Sequence, residues 1–90
     1  MSNKQQRRVR VYTTRWCGFC HRAKQILARE NVAFEEIPVD GDQEARTWLR
    51  QATGQHTVPQ IFFDDESIGG CQELEVLWAR KELHGKLQAN

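Results

Sequence analysis

The sequence predicts a small α/β domain built as βαβ followed by ββα. Three observations carry that expectation. Extended apolar runs alternate with stretches of helical periodicity, the helical stretches bring their own start and stop residues, and two short apolar arms meet around Asp64-Asp65. Ninety residues suffice for one hydrophobic core and are too few for a second lobe.

The first extended run is Val9-Arg10-Val11-Tyr12. Residues 17–30 hold no Pro and no Gly beyond Gly18. Their Ala23, Ile26 and Leu27 share one face, with Arg22, Lys24, Gln25, Arg29 and Glu30 around the rest, as in an amphipathic helix. Residues 32–39 are extended, with apolar Phe34 and Ile37 interrupted by Glu35 and Glu36. Strand, helix, strand implies a parallel pair with a right-handed crossover. Asp40-Gly41-Asp42 supplies capping groups for a second helix, in which Ala45, Trp48, Leu49 and Ala52 keep helical spacing until Gly54 closes it. Pro59-Gln60-Ile61-Phe62-Phe63 and Glu66-Ser67-Ile68-Gly69 read as a hairpin whose first arm is largely buried. Gly69-Gly70 then leads into a third helix, with Leu74, Leu77 and Trp78 on its apolar face and Gly85 near its end.

Thirteen Lys and Arg against twelve Asp and Glu leave a formal net charge of +1, so no overall field favours nucleic acid or a membrane surface. Lys4, Arg7, Arg8 and Arg10 follow the polar start Ser2-Asn3-Lys4-Gln5-Gln6, which fits a frayed terminus better than a nucleic-acid arm. Residues 1–7 are therefore expected to be flexible and residues 8–90 to form the domain. No apolar run approaches the roughly 20 residues of a membrane span or the stretch of about 7–15 in a secretory signal, so the expected location is the cytoplasm. In a reducing compartment, three cysteines speak for a reactive or metal-binding dithiol rather than a structural staple.

Cys17-Gly18-Phe19-Cys20 supplies that dithiol. If a helix begins at Cys17, its sulfur faces unpaired backbone N–H groups and the positive end of the helix dipole, which favour thiolate over thiol. Cys20 lies one turn further on the same side. Cys17 is the expected nucleophile and Cys20 the expected resolving thiol. The same residues with His21 formally satisfy a haem-attachment pattern and could begin a zinc site. Met1 is the only Met available as a second axial ligand, and no second Cys or His pair has zinc spacing, so redox exchange is favoured.

Cys17-Gly18-Phe19-Cys20, Thr57-Val58-Pro59-Gln60-Ile61-Phe62 and Ile68-Gly69-Gly70-Cys71, in that order, resemble a glutaredoxin of the thioredoxin fold, and the likeness covers residues 8–85. The resemblance implies a four-stranded mixed sheet flanked by helices. It implies reduction of protein disulfides and glutathione mixed disulfides, with glutathione as the recharging reductant. It also implies a cis Val58–Pro59 bond beside the nucleophilic sulfur, where base rates alone favour an ordinary trans Pro at the head of a strand. The implied glutathione site comprises Arg15, Phe19, Arg46, Thr57, Val58, Pro59, Gly70, Cys71 and Gln72. Backbone N–H groups of Gly70, Cys71 and Gln72 would hold the γ-glutamyl carboxylate, Thr57 and Val58 would pair with the cysteinyl part, and Arg46 would reach the glycyl carboxylate. The implied partners are glutathione and disulfide-bonded or glutathionylated proteins, met by a monomer.

Three positions depart from the family pattern. Thr14 stands where Lys is common, with Arg15 alongside; Gln72 stands where Asp often follows and cannot pair with the glutathione ammonium as an ion. Gly18-Phe19 is typical of the monothiol branch, which carries iron–sulfur clusters and has Ser at the second cysteine. Two alternatives follow from the resemblance: a homodimer holding a [2Fe–2S] cluster on two Cys17 thiolates and two glutathione thiolates, or an electron donor recharged by thioredoxin reductase. Cys20 speaks against the cluster role, for which a resolving thiol is dispensable.

Elsewhere the expectations are structural. Cys71, behind two glycines, is expected to be a small buried residue rather than a third redox thiol. Trp48 and Trp78 follow apolar stripes and are expected in the core, while His84 is expected to be solvated. His21 and His56 sit near the site without being needed for exchange. Trp16 is expected to cover the dithiol or meet the partner, and Arg15 and Arg22 to favour anionic substrates.

Overall fold

Side chains alternate across a strand, so a central strand with apolar residues at both parities can serve two core layers at once. Val9, Val11 and Tyr12 give the first strand that property, and Ile61, Phe62 and Phe63 give it to the third. A computed structural model describes residues 6–88. Its elements run β1 (Val9–Thr13), α1 (Gly18–Arg29), β2 (Glu35–Pro38), α2 (Gln43–Thr53), β3 (Gln60–Phe63), β4 (Glu66–Gly69), α3 (Cys71–Ala79) and α4 (Leu83–Leu87). The strands form one mixed sheet in the order β2-β1-β3-β4. β1 is parallel to β2 and antiparallel to β3, with Val11 opposite Ile61, and β3 is antiparallel to β4.

One face of the sheet presents Val9, Val11, Ile61 and Phe63 to Ala23, Ile26 and Leu27 of α1 and Leu74 of α3. The other presents Tyr12 and Phe62 to Leu49 of α2, with Val39 beside them. Burying each such large side chain contributes about 1.5–3 kcal/mol relative to leaving it exposed, which is why β1 and β3 occupy the centre and the Glu-rich β2 an edge. Pro38 fits that edge, where a missing N–H costs no ladder bond.

The helix boundaries have local causes. Asp42 caps α2 by accepting from Ala45 N–H at 3.0 Å, and Gly54 ends it at φ 74°. α1 closes through Asn31 at φ 59°, with Val32 N–H donating to Leu27 O and Asn31 N–H to Ala28 O. Lys81, also at φ 59°, closes α3 by the same pair of bonds, from Glu82 to Leu77 and from Lys81 to Trp78. The single third helix expected from the periodicity is therefore two. The reversal at Lys81 returns Leu83 and Leu87 to the core.

Three further expectations change. Gln6 and Arg7 are held, not frayed: Arg7 pairs with Asp64 and Glu66 and donates to Phe63 O at 2.8 Å, while Gln6 exchanges two hydrogen bonds with the backbone of Ala33. The remainder of that expected flexible segment, residues 1–5, lies outside the described residues. Trp48 packs its ring against Tyr12 and Phe62 at 5.7 and 5.6 Å but leaves its outer edge in solvent, and Ala52 is exposed, because α2 touches the sheet mainly through Leu49. Trp78 is partly buried and its indole N–H donates to Glu30 at 2.9 Å. His84 is exposed, as expected, and sits 3.0 Å from the other oxygen of that carboxylate.

Four carboxyls are held below their ordinary values: Glu30 by Trp78 and His84, Glu36 by Lys24 and Thr13, Asp64 by Arg7, and Glu66 by Lys86 and Arg7. The unfolded chain thus binds more protons in mild acid than the folded one. The stabilisation is complete above the ordinary values near 4.5 and is lost as pH falls through the lowered folded ones. Urea midpoints should be level near pH 6 and decline below about pH 4.5. Asp64→Asn, which tolerates the left-handed φ of 53° at that turn, should make the decline shallower.

Candidate active site

A residue that caps a helix with its side chain must itself stay out of helical geometry. Cys17 does so, at φ −131° and ψ 107°, and its Sγ accepts the backbone N–H of Cys20 at 3.1 Å. The helix expected to begin at Cys17 accordingly begins at Gly18. Sulfur occupies the place of a capping oxygen, at the positive end of α1. The same Sγ lies 3.6 Å from the carbonyl of Val58, to which the thiol donates. The Val58–Pro59 bond is cis, as the family resemblance implied.

The two thiols have different surroundings. All three cysteines are free, Cys17 half-buried and Cys20 only 1% exposed. Burial pushes the Cys20 thiol up to about 12, with the hydrogen bond to Cys17 acting in the same direction and the Thr14 backbone and Lys24 opposing. Cys17 therefore meets solvent first, and Cys20 waits behind it as a neutral thiol.

Beside the dithiol runs an open cleft of about 570 Å³. Of the residues expected in a glutathione site, Phe19, Thr57, Val58, Pro59, Gly70, Cys71 and Gln72 line it. Arg46 lines a neighbouring hollow of about 150 Å³ with Arg50, His56, Thr57 and Val58, and donates to His56 O at 3.4 Å. Arg15 belongs to neither. Its side chain is exposed, and its backbone N–H is engaged by the Asp40 carboxylate at 3.0 Å, which fixes the loop before Cys17.

Two cleft residues escaped the sequence reading. Gln60 is 2% exposed, and its amide donates to Thr57 O at 3.0 Å, shaping the Thr57-Val58-Pro59 turn. Its signal was a polar residue in an otherwise apolar buried arm. Glu73 sets its carboxylate 2.8 Å from Gly70 N–H, closing the N-terminus of α3, and lines the cleft. Of the three backbone donors expected there, the one on Gly70 is thus taken, leaving the orphan N–H groups of Cys71 and Gln72. The carboxylate that Gln72 lacks stands one residue later.

Cys71 is buried, as expected, and burial followed by Glu75 pushes its thiol up. Arg22 is committed to Glu75 at 2.7 Å instead of standing free for an anionic substrate. Trp16 is 89% exposed and Phe19 71%, so Trp16 leaves the dithiol uncovered and both rings face solvent around it.

A half-buried cysteine capping a helix, a buried second thiol one turn on, and an adjoining cleft along a cis-Pro turn fit a thiol–disulfide oxidoreductase with a thioredoxin-like sheet. The glutaredoxin family model matches residues 9–68, and the chain belongs to the glutaredoxin family. It is 46% identical over 75 residues to glutaredoxin 3 of Escherichia coli K12, covering 83% of this chain and 90% of that one. With a glutaredoxin of Pseudomonas aeruginosa it shares 47% over 81 residues, covering 90% and 92%. Its fold is similar to that of the buckwheat glutaredoxin–glutathione complex, with a TM-score of 0.83 and 27% identity over 90% of this chain and 76% of that one.

Gly69 sits at φ 110°, and a Cβ there would lie 2.8 Å from Cγ of Glu73. Gly69→Ala forces a strained backbone and displaces the carboxylate that caps α3. It should lower the free energy of unfolding by about 1–3 kcal/mol in urea titration. A midpoint equal to wild type would show that the turn relaxes without loss.

Proposed function

We propose that this glutaredoxin reduces protein disulfides and glutathione mixed disulfides, with glutathione as the recharging thiol. The observation that carries the reading is the pairing of a half-buried Cys17, whose sulfur lies 3.6 Å from the carbonyl of the cleft residue Val58, with a buried Cys20 behind it. Cys17 attacks one sulfur of the substrate disulfide; the other sulfur leaves as a thiolate and takes a proton from solvent. With a protein substrate, Cys20 then displaces the second sulfur and a Cys17–Cys20 disulfide results. Two glutathione molecules reduce it, releasing glutathione disulfide. With a glutathionylated protein, Cys17 takes up the glutathionyl group and free glutathione resolves it, leaving Cys20 out of the cycle.

Glutathione fits the cleft by chemistry. Its γ-glutamyl carboxylate suits the free N–H groups of Cys71 and Gln72 at the positive end of α3, and its ammonium suits the carboxylate of Glu73. The cysteinyl part lies along Thr57 and Val58, against Pro59 and Phe19, and the glycyl carboxylate reaches Arg46 in the adjoining hollow. The buckwheat relative is described as a glutathione complex, which supports this reading. The reducing cytoplasm is the compartment in which glutathione keeps such a dithiol reduced.

Cys17→Ser should bring turnover of both substrate kinds to background; turnover near wild type would overturn the mechanism. Cys20→Ser should retain reduction of a glutathionylated peptide and lose reduction of a protein disulfide. Arg46→Ala should raise KM for the glutathionylated peptide about threefold to tenfold with kcat little changed, the pattern of lost uniform binding.

A further inference from the structure

Cys20 must become anionic in a place where burial and the nearby Cys17 both resist it. Lys24 follows it by four residues on α1, which puts the two side chains on one side of the helix with Cβ atoms about 5–6 Å apart. The ammonium is moored. Lys24 Nζ lies 2.9 Å from Glu36 Oε2 on β2, and the buried Thr13 on β1 donates its hydroxyl to the same oxygen at 2.8 Å. Glu36 is a polar residue of the edge strand β2. Its carboxylate is held in the ionised form by Lys24 and Thr13, and the Glu36 side chain is more exposed than that of Lys24, so solvent screens it more. The charged and titratable groups around this point are Cys17, His21 and Lys24 on α1 and Glu36 on β2; Thr13, Thr14, Val58 and Pro59 bring none.

We propose that Lys24, moored by Glu36 and Thr13, is a positioning residue for the resolving step: its ammonium stabilises the negative charge that the Cys20 sulfur takes up as it attacks the mixed disulfide on Cys17. This rests on the assignment of Cys17 as nucleophile and Cys20 as resolving thiol. In the step, the Cys20 proton passes to water and a Cys17–Cys20 bond forms. The bond between Cys17 and the substrate sulfur breaks, and that sulfur leaves with the bonding pair and is protonated by solvent. The dithiol is oxidised by two electrons and the substrate reduced by two. Lys24 exchanges no proton. The glutathione-resolved route does not use Cys20 and does not call on this charge.

The test uses the full chain and reads the ratio of protein-disulfide turnover to turnover of a glutathionylated peptide with glutathione. Lys24→Gln should lower that ratio roughly threefold to fivefold, the range of a partly exposed charge interaction, and Lys24→Arg should restore it. Glu36→Gln should lower the ratio in the same direction by freeing the ammonium. An unchanged ratio in Lys24→Gln or Glu36→Gln, a parallel fall of both activities, or failure of Lys24→Arg to restore the ratio overturns the proposal. Failure of the wild-type chain to reduce either substrate, or full activity of Cys17→Ser, overturns the functional reading itself.

Discussion

The 3.1 Å contact from the Cys20 amide to the Cys17 sulfur joins folding to chemistry in this molecule. Helix α1 needs an acceptor for its first amides, and the residue offering it must be extended. A cysteine in that place lends the helix a cap and in return receives the helix's positive end. The position of the sulfur then follows from β1. That strand runs through the centre of the sheet, ends at Thr13, and leaves only residues 14–16 before the cap, with Asp40 holding the Arg15 amide.

The cleft is assembled from three chain segments that meet only in the fold. The dithiol turn comes from the β1–α1 junction, the Thr57-Val58-Pro59 turn from the approach to β3, and the Gly69–Gln72 turn from the β4–α3 junction. The last two are each stiffened by one polar side chain, Gln60 on the Thr57 carbonyl and Glu73 on the Gly70 amide. A Cβ on Gly70 would lie 3.2 Å from the Pro59 carbonyl, a tight contact that shows how closely these two turns approach.

Several of the charges near the sheet and α1 are already engaged. Arg22 belongs to Glu75, Arg10 lies over the Phe62 ring at 5.1 Å, and Lys24 belongs to Glu36. Exposed aromatic surface from Trp16 and Phe19 stands beside Cys17.

Local chemistry was legible in the sequence wherever one residue decides one thing. Two cysteines three apart after an apolar strand marked the dithiol, Asp42 and Gly54 marked the ends of α2, and alternating apolar runs marked the sheet and its order of elements. The split between α3 and α4 was hidden because Lys81 adopts the left-handed turn that glycine or asparagine usually announces. The anchoring of Arg7, the tie on the Arg15 amide and the pairing of Glu36 depend on partners more than 20 residues away, whereas Gln60 and Glu73 bond only three residues back and are brought to one cleft by the fold. Periodicity and spacing report a residue's neighbours along the chain, and they determined the fold class and the place of the dithiol. Which charged side chains are paired, which amides remain free and which thiol is sealed are set by distances across the folded sheet, so only the tertiary structure decided them.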